Sequence, residues 1–310
     1  MVMDEKMLSM ISRKALLERT LAELVYGAPE IRTEGDKKYL YVHYRLTGKQ
    51  VTNFIGEFSD ELLSVITSNN EKAKQIKREL RELNHQLHTL GYQETSLDEK
   101  VQRNLDFAKR NLSLTIHSQA ILEGVATTFA STEDIIEGSK VQGMSPTDVA
   151  KIVNMKHAWE FILDPDVITS ESDLTLLMQI NKMVEEGFYY NAGKLRDVPV
   201  RIGGTSWQPE LPLESKVKED LTTIVQSKKS NIDKTIEFVL YIQKSQLFID
   251  GNKRTAIIFA NHFMIKRGLG LIYIPAELTD EYKTLLVKYY ETGQKSAIFD
   301  FLKQKCCLLI

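Results

Sequence analysis

Gln246-Leu247-Phe248-Ile249-Asp250-Gly251-Asn252-Lys253-Arg254-Thr255 is the densest run of chemically capable residues in the chain, and it lies between two helical patterns. It reads as the end of one helix, a tight turn and the first turn of the next. Gly251 permits a bend that other residues resist, and the amides of Asn252, Lys253 and Arg254 fall where a new helix leaves its donors unpaired. Such a turn attracts anions. Lys253 and Arg254 add two positive charges to the helix dipole, and Asp250 supplies one hard oxygen for a magnesium ion, so the run suits a polyphosphate such as ATP. A run of this kind also fits a plain helix-turn-helix junction with solvated basic side chains.

Working outward, the pattern is mostly helical. Helices are expected at 213–228, 232–247, 252–267, 279–291 and 296–308, and further starts at Ser131 with Asp134, at Ser145-Pro146-Thr147-Asp148 and at Ser170 with Asp173. Strand-like segments after residue 100 are confined to 198–202 and 271–274. Near the N-terminus a helix is expected over 6–26, followed by a lone hairpin in which 39–46 pairs with 51–58 across Thr47-Gly48-Lys49. Leu62, Ile66, Asn69, Ala73, Ile76, Leu80, Leu83, Leu87 and Leu90 then step by fours and threes, the seam of a long helix lying against another. Gly91-Tyr92 interrupts that seam and Ser96-Leu97-Asp98-Glu99 has the form of a capping box, which favours an intramolecular helical hairpin. The expected domains are 1–95, carrying the first helix, the hairpin and the long helix, and 96–310, carrying the rest.

Composition narrows the class. The chain has 310 residues, 43% of them apolar and 26% charged, enough for a packed core and unlike a disordered chain. Forty basic against 42 acidic residues give a net charge of −2, so no bulk field draws in nucleic acid or an anionic membrane. No stretch approaches the roughly 18 apolar residues that cross a bilayer, and the first residues lack a signal-peptide core. The two cysteines, Cys306 and Cys307, are adjacent and offer neither a disulfide framework nor spaced metal ligands. These features fit a cytoplasmic protein. Cys307-Leu308-Leu309-Ile310 matches a prenylation pattern, but the expected setting is a packed terminal helix with Ile298, Phe301, Leu302, Cys306 and Leu309 on its buried face.

The run 246–254 resembles the signature of Fic-domain proteins, HPFxDGNxRxxR. Gly193-Lys194-Leu195-Arg196, the stretch Val198 to Gly204 and Pro209 resemble that family's approach to its target flap, and Asn154-Met155-Lys156-His157-Ala158 resembles one of its helices; the likeness spans roughly 104–273. The resemblance implies a mostly α, Fic-type helical domain with a short β-hairpin flap. It implies transfer of a nucleotide monophosphate, most often AMP from ATP, to a hydroxyl of a target protein presented as an extended segment. By that likeness Asp250 would bind Mg2+, Gly251, Asn252 and Lys253 would line the anion hole, and Arg254 would hold the outer phosphates. Phe248 would anchor the loop, and Val198, Val200, Ile202, Gly203 and Gly204 would form the flap that adds the target as a strand. The N-terminal helices offer a homodimer contact.

Three positions depart from the family pattern. Gln246 stands where the catalytic histidine belongs, and a carboxamide has no useful basicity near neutral pH. Catalytic impairment follows, by nature or by substitution, with a non-catalytic protein-binding module and a death-on-curing-like protein kinase as the alternative readings. Ile257 replaces the second arginine. Glu123, in Ser118-Gln119-Ala120-Ile121-Leu122-Glu123-Gly124, resembles the glutamate of the family's inhibitory helix, but Gln119 stands where Ser or Thr belongs; Glu123 retains reach toward Arg254. His262 lies about two turns beyond the loop and reads as packed or solvent-facing rather than as a base.

Overall fold

A computed structural model of the chain describes residues 5–46, 49–92, 97–139 and 141–310. The chain divides into two compact units, 9–93 on the one hand and 94–310 with 1–8 on the other.

In the first unit α1 (Glu5–Glu23) precedes strands β1 (Ala28–Glu34), β2 (Lys37–Leu46) and β3 (Lys49–Glu57), and α2 (Asp60–Thr89) closes it. The strands form an antiparallel sheet in that order, so the expected two-stranded hairpin is three-stranded. Strand β1 escaped the sequence pattern because it is an edge: Pro29 sits in it and nearly every residue is exposed, so it lacks the inward apolar alternation of a half-buried strand. Leu40 and Val42 alternate inward on β2 and pack with Ile66 of α2, with Leu62, Leu63, Ile55 and Phe58 around them. The first turns of the long-helix seam therefore cover a sheet rather than another helix. Ser59 caps α2 by accepting from the Leu62 amide at 3.1 Å. Farther along, Arg13 of α1 meets Glu79 of α2 at 2.6 Å, an exposed pair worth little energetically. The turn residues Thr47 and Gly48, and Ser96 of the expected capping box, lie outside the described residues.

The second unit is helical: α3 (Glu99–Arg110), α4 (Leu112–Leu122), α5 (Phe129–Ile136), α6 (Pro146–Ile162), α7 (Pro165–Ile168), α8 (Leu174–Val184), α9 (Glu214–Gln226), α10 (Asn231–Ser245), α11 (Asn252–Ile265), α12 (Thr279–Thr292) and α13 (Ser296–Lys305). Ser145 caps α6 as expected, with proline at the first helical position. Two other starts move: Thr128 accepts from the Ser131 amide to begin α5, and Asp173, not Ser170, accepts from the Leu176 amide to begin α8. Asp98 caps α3.

Helix α11 is the centre of this unit. Nearly all of its residues are buried, polar Asn261 and His262 among them, so it is enclosed on every side. Ile257, Ile258, Phe259, Phe263 and Ile265 are fully buried in contact with α3, α6, α8 and α10. Phe238 of α10 meets Phe259 and Phe263 edge-on, with centroids 5.2 and 5.0 Å apart. Beyond α11, β4 (Leu271–Ile272) pairs with β5 (Cys307–Leu308), so Cys307 and Leu308 form a short strand and not the tail of a helix. Cys306 is buried, whereas Leu309 is 56% exposed, which corrects its expected place on a buried helix face. Among the described residues no helix is long and apolar enough to cross a membrane.

Candidate active site

Helix α10 ends on Gln246, whose backbone is left-handed (φ 45°), the one non-glycine residue so placed among those described. That conformation costs an L-residue about 1 kcal/mol and is held here by its surroundings. Arg196 donates from Nε to the Gln246 carbonyl (2.5 Å), and the Gln246 amide group donates to the Gln243 carbonyl (2.6 Å) while accepting from Asn252 Nδ2 (3.1 Å). Tyr290, a buried phenol on α12 whose pKa burial raises, lines the same cavity. Gln246 is thus fixed by its neighbours at the mouth of the turn.

The turn is built from side chains the motif supplies. Asn252 folds inward, accepting from the Phe248 amide (3.0 Å) and donating to its carbonyl (2.8 Å), so its side chain closes the loop rather than facing an anion. Phe248 is buried, as the loop anchor was expected to be. Gly251 has φ 73°, and a Cβ there would strike the Glu185 carboxylate. It offers no side-chain cap, so the first amides of α11 have no such partner. Asn181 of α8 braces the turn through the Asp250 carbonyl (3.1 Å) and Thr255 Oγ1 (3.2 Å).

A cavity of about 500 Å3 opens on this turn. Gln246, Asp250, Asn252, Lys253 and Glu123 form one wall; Val200, Arg201, Ile202, Gly203 and Gly204 form the second; Lys283, Leu286, Val287 and Tyr290 of α12 form the third. The flap segment faces the motif without regular strand structure, and Val198 stands apart, 46% exposed. The physical reason is its anchor: buried Arg196 spends its guanidinium on the carbonyls of Val198 (3.0 Å), Pro209 (3.2 Å) and Glu210 (2.5 Å), which ties both ends of the segment down without a ladder.

Arg254 is not on the cavity wall. Its side chain is 2% exposed, 2.8 Å from Glu185, and 3.7 Å from both Glu123 and Asp250. Among the described residues its Nε and Nη1 have no hydrogen-bond partner. Lys253 reaches Glu123 at 3.4 Å. Asp250 keeps a half-exposed carboxylate, one oxygen of which accepts from the Gly251 amide (2.7 Å). Burial, with Asp250 and Glu123 adding to it, pushes the Glu185 carboxyl up to about 7 against the pull of Arg254.

Glu185, Asn154, Asn181 and Arg196 were not singled out as site-building residues from sequence. Glu185 left a signal: with Glu186 it puts two acids at the C-terminal end of α8, where the helix dipole disfavours them, so a partner elsewhere must offset the cost. Asn154 fixes that corner by donating to the carbonyls of Val184 (3.3 Å) and Glu186 (2.8 Å). His262 is fully buried between Ser172 Oγ and the Val167 carbonyl, both at 2.9 Å, and takes no part in the site.

A sequence model of the Fic/DOC family matches residues 171–264, the stretch from the start of α8 through α11. The chain carries a Fic/DOC domain. The match is narrower than the 104–273 over which the likeness was read. No curated protein matches the chain. Among solved structures, Fic-1 from C. elegans superposes with a TM-score of 0.52 at 18% identity, covering 79% of this chain and 73% of its own. A Fic family protein from Desulfovibrio desulfuricans G20 gives 0.53 at 14% identity, over 68% and 73% of the two chains. A Fic domain containing signaling protein from Bacteroides thetaiotaomicron VPI-5482 gives 0.52 at 16% identity, over 71% and 90%. At these identities the likeness establishes the Fic fold.

Proposed function

We propose that this Fic domain binds a magnesium nucleotide at the turn 250–254 and, with Gln246 in place of the family's histidine, transfers the nucleotide to protein hydroxyls slowly or not at all. The observation that carries the reading is the buried guanidinium of Arg254, with two donor nitrogens lacking partners, set behind the uncapped start of α11 beside the 500 Å3 cavity. The turn suits Mg2+ as well. Among the described residues no three acidic, histidine or cysteine side chains gather into a metal cage, but Asp250 presents one half-exposed carboxylate. One carboxylate plus substrate phosphates is how Mg2+ is usually held. When bound, the ion would neutralise phosphate charge, while Lys253 and the α11 amides would position the phosphates.

Gln246 keeps the place of a base without the chemistry of one. Its oxygen already accepts from Asn252 and its nitrogen donates to a carbonyl, so no group at this position takes a proton from an attacking hydroxyl. The flap wall, 200–204, fits an extended target segment laid beside the turn. A melting experiment tests the binding reading: ATP with Mg2+ should raise the melting temperature of the full chain, and Asp250→Ala should lose more of the Mg2+-dependent part than of the metal-free part. A melting temperature indifferent to MgATP at millimolar concentration would favour the binding-only module.

A further inference from the structure

Carboxyl groups crowd Arg254. Glu123, Glu185 and Asp250 surround it and Lys253, with Lys151 acting on Glu185 from farther off. The nearest carboxylate, at 2.8 Å, belongs to Glu185, which lies outside the 246–254 motif and outside the helix carrying Glu123. It is buried as deeply as the arginine, 3% against 2% exposed, and Asn154 holds the backbone on either side of it. The pairing is a single approach to Nη2 rather than a two-pronged fork, and Nε and Nη1 remain without partners. A phosphate can offer the fork that Glu185 does not.

We infer that Glu185 is a resident anion at Arg254 that competes with the outer phosphates of a nucleotide and weakens their binding. The inference rests on the reading of the turn as a nucleotide site. A triphosphate adds negative charge to a cluster that already holds three carboxyl groups, at a depth where screening is small. Full engagement of Arg254 therefore requires that its contact with Glu185 be given up. Removing the Glu185 charge leaves Arg254 with Glu123 and Asp250 at longer range, which keeps the buried cation compensated and its donors open.

The test is calorimetric titration at pH 8.5, where the Glu185 carboxyl is ionised, of MgATP, and separately of sodium pyrophosphate, into the full chain and into Glu185→Gln, Arg254→Ala and the double variant. Glu185→Gln should bind both probes about tenfold more tightly, the scale of one charge-assisted contact regained, and the gain should vanish when Arg254 is absent. Unchanged or weaker binding by a folded Glu185→Gln overturns the inference. So does a gain that survives in the double variant, since Glu185 would then act by general repulsion. Should Glu185→Gln fail to fold, Glu185→Asp carries the test: its carboxylate ends one methylene short of Arg254 and should bind more tightly than the parent, whereas parental affinity overturns the inference. Binding that Arg254→Ala leaves intact removes the nucleotide site itself; Arg254-dependent binding that Glu185→Gln does not strengthen removes the competition alone.

Discussion

Gln246 and Arg196 meet at one carbonyl, and between them they set the chemistry and the geometry of the site. On the proposed reading, replacing Gln246 by histidine places a base where Asn252 already stands to orient it. Gln246→His should therefore transfer label from α-phosphate-labelled ATP, to itself if no target is supplied, at a rate roughly 10²–10⁴ above the parent chain. A histidine variant that binds ATP and transfers nothing would show that more than the base is missing. Arg196 is the opposite case, a buried cation with no carboxylate partner among the described residues, satisfied by the carbonyls of Val198, Pro209, Glu210 and Gln246, with burial lowering its pKa. A lysine has one ammonium to serve those four acceptors. Arg196→Lys should cost about 3 kcal/mol or more in urea unfolding and free the segment 198–210 for proteolysis; a cost under about 1 kcal/mol would mean the clip is dispensable.

At the scale of elements, α11 does two jobs, since its first turn faces the cavity while the rest forms the core of the second unit. Asn261, one buried polar residue on that helix, accepts from the Ile272 amide (2.9 Å) and donates to the Ile272 carbonyl (2.7 Å) and to the Ile257 carbonyl (2.9 Å), fixing β4 against the helix. Asn261→Leu should destabilise the chain by about 2–3 kcal/mol, because it strands an amide and a carbonyl in the core, with little direct effect on nucleotide affinity. Loss of affinity out of proportion to stability would contradict that separation. These contacts also explain what the sequence could and could not show. The helices and the 246–254 turn were legible because apolar spacing, Gly251 and the charges at Lys253 and Arg254 are local signals. Strands β1 and β5 were not, since an exposed edge and a two-residue strand leave no periodic trace and are defined only by their partners. Glu185 was hidden for the same reason: its meaning lies in Arg254, 69 positions away in the chain. The inward turn of Asn252 likewise depends on the Phe248 backbone, which no motif prints.

For the whole molecule, pH dependence should report the buried His262. Burial holds its imidazole down to about 3, against an ordinary 6.5, so the unfolded chain binds a proton that the folded chain refuses. Its stability contribution is complete above about pH 6.5 and is lost as pH falls toward 3, by about 5 kcal/mol in all if the neutral ring persists. His262→Asn should be less stable at pH 7 yet lose less stability between pH 6.5 and 4; an acid slope identical to the parent's would assign the loss to other groups. The fold built around that helix exists, on this account, to hold an anion-binding turn beside a flap, with the base removed and the phosphate arginine occupied from within. The measurement that tests this most directly is a crystal structure of the full chain grown with MgATP at millimolar concentration. Phosphates are expected at the start of α11 beside Lys253, the metal on Asp250, and Arg254 drawn from Glu185 toward the phosphates; a nucleotide bound elsewhere, with the turn empty and the Arg254–Glu185 contact intact, would show that the turn is not the nucleotide site.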